Sequence, residues 1–185
     1  AARGAGSVFA VVLGTGVGGG LVINGRIHVG AHALAGEWGH TPLAGAPEGS
    51  DCFCGRAGCL ETFLSGPALV RDYQASGGDP DICHVQQIAA RALNGDAAAI
   101  GALSRHLARL GQALGAIVNI VDPEVIVLGG GLSNLQGLAE ALPAVIAQHI
   151  FAPHSDRVVP VVRQARWGDS SGVRGAARLF EGDDR

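Results

Sequence analysis

Three of the chain's four cysteines, Cys52, Cys54 and Cys59, stand within eight residues, downstream of His40. Three thiolates and one imidazole form a Cys3His donor set. Such a set suits zinc in a closed tetrahedral site that keeps no position for water. The expected work of the site is structural: it pins the loop that carries it. Thiols clustered in a chain so poor in cysteine favour a metal over a disulfide framework or a chance grouping. Cys83 lies outside the cluster on a stretch with helical pattern, and a buried, inert thiol is expected there.

Glu37, His40 and Glu61 flank the cysteines. Carboxylates beside a fixed imidazole make good acceptors for sugar hydroxyls. A metal on one imidazole nitrogen would orient the ring and leave the other nitrogen to donate. A solvated glutamate pair is the plainer alternative. The run Gly14-Thr15-Gly16-Val17-Gly18-Gly19-Gly20 separates two strand-like segments. Its successive N–H groups can form an anion nest, with the Thr15 hydroxyl as a further donor. No Gly-Lys-Ser/Thr follows, and a strand follows instead of a helix, so it is neither a Walker loop nor a Rossmann fingerprint. On its own it is equally a glycine-rich hairpin. Val125–Gly131 is a buried apolar strand that ends in three glycines before a helix. Ligands of open α/β sheets gather at such carboxyl ends, and bare glycine lets a flat adenine or ribose lie on the backbone. A tight strand-to-helix turn would read the same way. Asp169, Arg166 and Arg174 are left as an exposed charge set.

The elements that must position these residues follow from punctuation and periodicity. Ser7–Leu13 is a short β-branched strand, Leu21-Val22-Ile23 resumes after the glycine run, and Asn24-Gly25 marks a two-residue hairpin. Gly36 to Cys59 has no helical period, and a loop of that length needs something to hold it. Helices are expected from Gly66-Pro67 to Ser76, from Asp81 to Leu93, and from an Asp96 cap to about Val121. The last has a stripe of Ile100, Leu103, Leu107, Leu110, Leu114, Ile117 and Val118, spaced by three and four. Val125–Leu128 is a buried strand, Leu135–Ile150 a helix, and Val158–Val162 an edge strand, where Pro160 is tolerated. Ser170-Ser171-Gly172-Val173 opens a final helix, and its Gly172–Phe180 face carries apolar residues suited to docking. The alternation is that of an α/β fold with crossover units.

Composition narrows the function classes. The chain has 185 residues, a formal net charge of -3 and 30 glycines. There is no basic tract, so nucleic acid and anionic membrane surfaces are not expected partners. No apolar run reaches the roughly 18–20 residues of a membrane span. The opening AARGAGSVFA has no Met and leads straight into a strand, so it reads as an internal cut point and not a signal peptide. The cytoplasm is the expected compartment.

In this order the pieces resemble the ROK family of sugar kinases and repressors. The match rests on Gly14–Gly20, on Gly36-Glu37-x-Gly39-His40, on Cys52-x-Cys54-Gly55-x-x-Gly58-Cys59-Leu60-Glu61, and on Val125–Gly131. It runs nearly the whole chain. The resemblance implies an actin-like, ribonuclease-H-like α/β kinase lobe with a zinc-pinned loop. Residues 1–185 would be the C-terminal lobe of a two-lobed enzyme. Such an enzyme moves the γ-phosphoryl of Mg-ATP to a hexose hydroxyl. The Glu61–Gly66 run and the Gly168–Ala177 tail are most similar to the bacterial fructokinase branch, so fructose is the expected hexose. By carry-over His40, Cys52, Cys54 and Cys59 hold zinc, and Glu37, His40 and Glu61 contact the sugar. Thr15 and Gly16 face the phosphates, and Gly130 and Gly131 the adenosine. The family's Asp-x-Gly-Gly-Thr loop and the Asn-Asp pair that supplies its catalytic base are not among these residues. The family pattern puts that pair shortly before Ala1, and no carboxylate of this chain is assigned its role. A sugar-sensing repressor of the same family is the alternative, and its helix-turn-helix would also lie upstream. A homodimer is compatible with the resemblance.

Overall fold

Alternation of large apolar and small residues builds the first strand. In Ser7–Leu13 (β1), Phe9, Val11 and Leu13 are buried on one face, while Ala10 and Val12 lie on the other. The computed structural model describes residues 1–46, 50–151, 159–170 and 174. Strand β2 (Val17–Ile23) runs antiparallel to β1, and β3 (Arg26–His28) antiparallel to β2. Asn24 (φ 52°) and Gly25 (φ 71°) both take left-handed backbone at the β2–β3 turn, the conformation a two-residue hairpin of the favoured twist requires. Strands β4 (Val125–Gly129) and β5 (Val161–Gln164) are parallel to β1 and to each other, giving the order β3-β2-β1-β4-β5.

The helices are α1 (Glu61–Leu64), α2 (Gly66–Ala75), α3 (Val85–Leu93), α4 (Ala97–Val121) and α5 (Leu138–Ile146). Side chains of α4 and α5 (Leu110, Leu114, Val118, Leu142 and Ile146) join Phe9, Val11, Leu13, Ile126 and Leu128 of the sheet in one core. Helix α4 begins where the Asp96 carboxylate accepts from the Ala99 N–H at 3.0 Å, and ends at Asp122, which is left-handed (φ 47°). Gly111 lets α4 lie close to α5: a Cβ there would stand 2.8 Å from Cβ of Val145.

Several boundaries differ from the sequence reading, each for a local reason. The glycine run is turn only over residues 14–16; from Val17 it is already strand. The helix expected from Asp81 starts at Val85. Before it the Asp81 N–H donates to the Asp79 side chain at 3.0 Å, a turn bond that competes with a helix, and the His84 N–H donates to Gln87 Oε1 at 3.1 Å, a capping bond that fixes the helix start after His84. Cys83 is therefore exposed and non-helical, not a buried helical thiol. The helix expected from Leu135 starts at Leu138, because Gly137 is left-handed (φ 77°) and a 3-10 turn fills Gly131–Asn134. Ile100 is 46% exposed; the buried face of α4 runs instead through Ala99, Ala102, His106, Leu110, Ala113, Leu114 and Val118. The last strand is an edge as expected, but begins at Val161, after Pro160. The final helix and its Gly172–Phe180 face, Arg174 apart, lie outside the described residues.

His106 is the one core position on α4 with an ionisable side chain. It is 2% exposed, and neither ring nitrogen has a hydrogen-bond partner. Burial, reinforced by the Arg109 guanidinium against a smaller opposite pull from Asp72, pushes its pKa from 6.5 down to about 4. The unfolded chain therefore binds the proton more readily. Stability is whole above pH 6.5 and falls as pH drops towards 4, by about 3 kcal/mol in all. H106F removes this titration and both unpaired nitrogens. In urea unfolding it should be more stable than the parent at pH 7, and lose less stability between pH 7 and pH 4.5. Equal losses in the two proteins would show that His106 is not buried and neutral.

Candidate functional site

The loop that carries the cysteines is laid onto β2. Trp38 opens a 3-10 turn (Trp38–His40), donates from its indole Nε1 to the Gly18 carbonyl at 2.8 Å, and meets Phe9 edge to face at 5.6 Å. This turn presents His40. The returning limb is held by Leu60 N–H to the Thr41 carbonyl and Leu43 N–H to the Gly58 carbonyl, both 2.9 Å. Cys52 N–H to the Arg56 carbonyl (2.8 Å) and Gly55 N–H to the Cys52 carbonyl (3.0 Å) fold the cysteine knuckle.

His40, Cys52, Cys54 and Cys59 converge, with their ligand atoms all within 4.8 Å of one another. His40 Nδ1 stands 3.6 Å from Cys52 Sγ, and the Cys54 and Cys59 sulfurs are 3.6 Å apart. A tetrahedral zinc with bonds of about 2.3 Å to sulfur and 2.0 Å to nitrogen would separate such ligands by about 3.5–3.8 Å. The donor set thus fits that metal in number, chemistry and spacing. The thiols differ in acidity. Hydrogen bonds from Arg56, first from its backbone N–H, lower Cys54 to about 6, whereas burial raises Cys59 to about 11.

Glu61 opens α1 two residues after Cys59. Its Oε2 accepts from the Val17 N–H at 2.9 Å, and its Oε1 lies 4.0 Å from Cys52 Sγ. A side chain at position 16 would come within 2.5 Å of Oε2 and push the carboxylate aside. His40, the cysteines and Glu61 are thus one assembly, while Glu37 precedes the same 3-10 turn with its side chain exposed.

A second feature is an open cleft of about 590 Å³ lined by Gly14, Thr15, Gly131, Leu132 and the starts of two helices. Gly66 and Pro67 begin α2, Val85 and Gln86 begin α3, and Val70, Arg71, Cys83 and His84 complete the wall. Helix N-termini carry partial positive charge, which favours anions; the donors here belong to the start of α3, because in α2 Gly66 N–H goes to the Gly14 carbonyl, Ala68 N–H to Ser65 Oγ, and Pro67 has none. Thr15 and Gly131, far apart in sequence, are brought together here. Gly16 and Gly130 do not line the cleft: Gly16 faces Glu61, and Gly130 (φ 80°) is pressed against the Leu13 backbone. The sequence did not point to Arg71, His84 or Gln86. Their place depends on the Gly66 N–H donating to the Gly14 carbonyl at 2.8 Å, a contact between distant segments.

The family model described as "ROK family" matches residues 1–183, and the chain belongs to that family. It is 39% identical over 183 residues to an N-acetyl-D-glucosamine kinase of Pasteurella multocida, covering 94% of this chain and 59% of that protein. Among solved structures it is similar to a ROK family glucokinase from Streptomyces griseus in complex with glucose and AMPPNP, with a TM-score of 0.87 and 28% identity over 98% of this chain and 63% of that one. It is also similar to a ROK family transcriptional regulator, a homologue of the E. coli MLC protein, with a TM-score of 0.76 and 27% identity over 95% of this chain and 46% of that one. The chain therefore spans under two thirds of the length of each, and its fold is the α/β fold of the ROK sugar kinases.

Mass spectrometry of the purified chain should find one zinc per chain, with Cys83 the only thiol that reacts under native conditions. Chelation should release the other three. Because Cys59 holds its proton at neutral pH when metal-free, zinc uptake should release protons, and affinity should fall as the medium is acidified. Calorimetry in buffers of different ionisation enthalpy reads that proton count. A metal-free chain with all thiols reactive would remove the metal assignment.

Proposed function

We propose that the full-length protein phosphorylates a hexose with Mg-ATP, and that residues 1–185 supply its zinc loop, part of its sugar site and one wall of its nucleotide cleft. The carrying observation is the cleft that joins Thr15, Gly131 and two helix N-termini. It combines donors for phosphate oxygens with a bare backbone for the nucleoside. Phosphoryl transfer demands mainly positioning and charge stabilisation, which such donors provide. In this reading Thr15 faces the phosphates and Gly131 the adenosine, while Gly16 and Gly130 shape the two turns from behind. Zinc, held by His40, Cys52, Cys54 and Cys59, would stabilise the loop without touching the reacting atoms. Glu37, His40 and Glu61 contact the sugar: Nδ1 of His40 points to the cysteines, and the ring's other nitrogen serves the hydroxyl. One Glu61 oxygen is committed to Val17, which leaves Oε1 to accept from the sugar.

The name of the P. multocida relative supports a 2-acetamido hexose as substrate, and that class replaces the fructose expected from the C-terminal run. The catalytic base belongs to a part of the protein outside residues 1–185, as does the other lobe. Homodimerisation is carried as part of the same proposal. The likeness to a ROK regulator favours one second reading, a sugar sensor that does not turn over ATP.

In the full-length protein, Mg-ATP should protect Cys83 from iodoacetamide, because that thiol lines the cleft. ATP turnover should be faster with N-acetyl-D-glucosamine than with fructose or glucose. Sugar binding with neither protection nor turnover would transfer the protein to the sensor reading. Residues 1–185 alone should show no measurable hexose-dependent ATP turnover, and robust turnover would refute this division of labour between the two lobes.

A further inference from the structure

The two residues immediately after the 14–16 turn, Val17 and Gly18, are clasped by the two ends of the metal loop. From one end, the Trp38 indole, two residues before the ligand His40, donates to the Gly18 carbonyl at 2.8 Å. From the other, the Glu61 carboxylate, two residues after the ligand Cys59, accepts from the Val17 N–H at 2.9 Å. The same carboxylate oxygen fills the space in which a Gly16 side chain would stand, and its second oxygen lies beside Cys52 Sγ. Helix α1, which holds Glu61, is built on the metal ligand: both the Thr62 N–H and the Thr62 hydroxyl donate to the Cys59 carbonyl, at 2.9 and 2.7 Å. The turn has little else to fix it. Gly14 and Gly16 bond to each other (3.0 Å), Gly66 N–H donates to the Gly14 carbonyl, and Thr15 is exposed.

We propose that Glu61 is a positioning residue for the nucleotide side of the cleft. It hands the order of the Cys3His loop to the Thr15–Gly16 turn through the Val17 N–H. The inference rests on the kinase reading only for its consequence in catalysis; the mechanical link stands apart from it. The carboxylate accepts from Val17 while α1 is seated: Phe63 and Leu64 hold α1 to the core, and the Thr62 bonds to the Cys59 carbonyl tie its first turn, which carries Glu61, to the metal loop. Removing the metal and removing the carboxylate should therefore loosen the same backbone, and the two effects should not add.

Amide exchange of the full-length protein, followed at Val17 and its neighbours without substrate, tests this directly. Zinc removal should speed Val17 exchange by about tenfold or more, the scale of one lost hydrogen bond to a charged acceptor. E61A should show the same fast exchange with zinc still bound, and chelation should then change little further. E61Q, whose side-chain oxygen can accept the same N–H, should restore protection. The KM for ATP should rise in E61A and recover in E61Q. Unchanged Val17 exchange in E61A, or a further full increase on chelation, would overturn the proposal. So would an effect confined to the KM for the sugar. A protein that turns over no ATP would defeat the kinase reading, while the exchange data would still decide the role of Glu61.

Discussion

Strand β2 presents backbone where most strands present side chains, and the rest of the site leans on that bareness. A Cβ at Gly19 would come within 2.7 Å of the Trp38 indole, and side chains at Gly36 and Gly39 would run into the β2 backbone. Gly19 on this face of β2, with Gly36 and Gly39 in the chain laid over it, therefore makes room for a second layer, and so for the turn that delivers His40. On the other face Gly18 and Gly20 meet nothing within 4 Å. One strand thus has two uses: it is a seat for the metal loop on one side, and it continues the glycine turn that borders the cleft.

The same constraint says what a metal would add to this loop. Among the described residues between Gly36 and Leu60 the buried side chains are few, chiefly Trp38, Leu43, Cys52, Cys59 and Leu60. Ordering that length of irregular chain costs conformational entropy that so small an apolar set cannot offset. A closed Cys3His site contributes its binding free energy only when the loop is folded. With the site filled, the loop would be held between β2 at one end, through Trp38, and α1 at the other.

Local signals were legible in the sequence. The β-branched run of β1, the Asn24-Gly25 hairpin, the Asp96 cap and the cysteine spacing each involve residues close along the chain, and each appears in the structure. What was not legible depended on distant partners. The start of α3 is set by a turn bond at Asp79 and a capping bond at His84, which also leave Cys83 exposed. Glycine content announced bare backbone without saying what approaches it: Glu61 at Gly16, Trp38 at Gly19, Leu13 at Gly130. The sugar-facing reading of Glu61 came from its place after Cys59, and its bond to Val17, 44 residues away, carries no sequence signature.

The parallel pairing of β1 with β4 sets Val8 against Val125. The first hairpin of the sheet is synthesised long before its central neighbour. At roughly 5–20 residues per second, one long edge of β1 waits on the order of ten seconds for its partner. During that time it offers unpaired N–H and C=O groups on an apolar strand, the form in which strands of different chains find one another. The Glu124 carboxylate, which accepts from the N–H groups of Gly6 and Ser7 at 3.0 and 3.2 Å, sits at the entry to β4. It can dock the start of β1 as β4 arrives, and so set the register of the pair at its first rung.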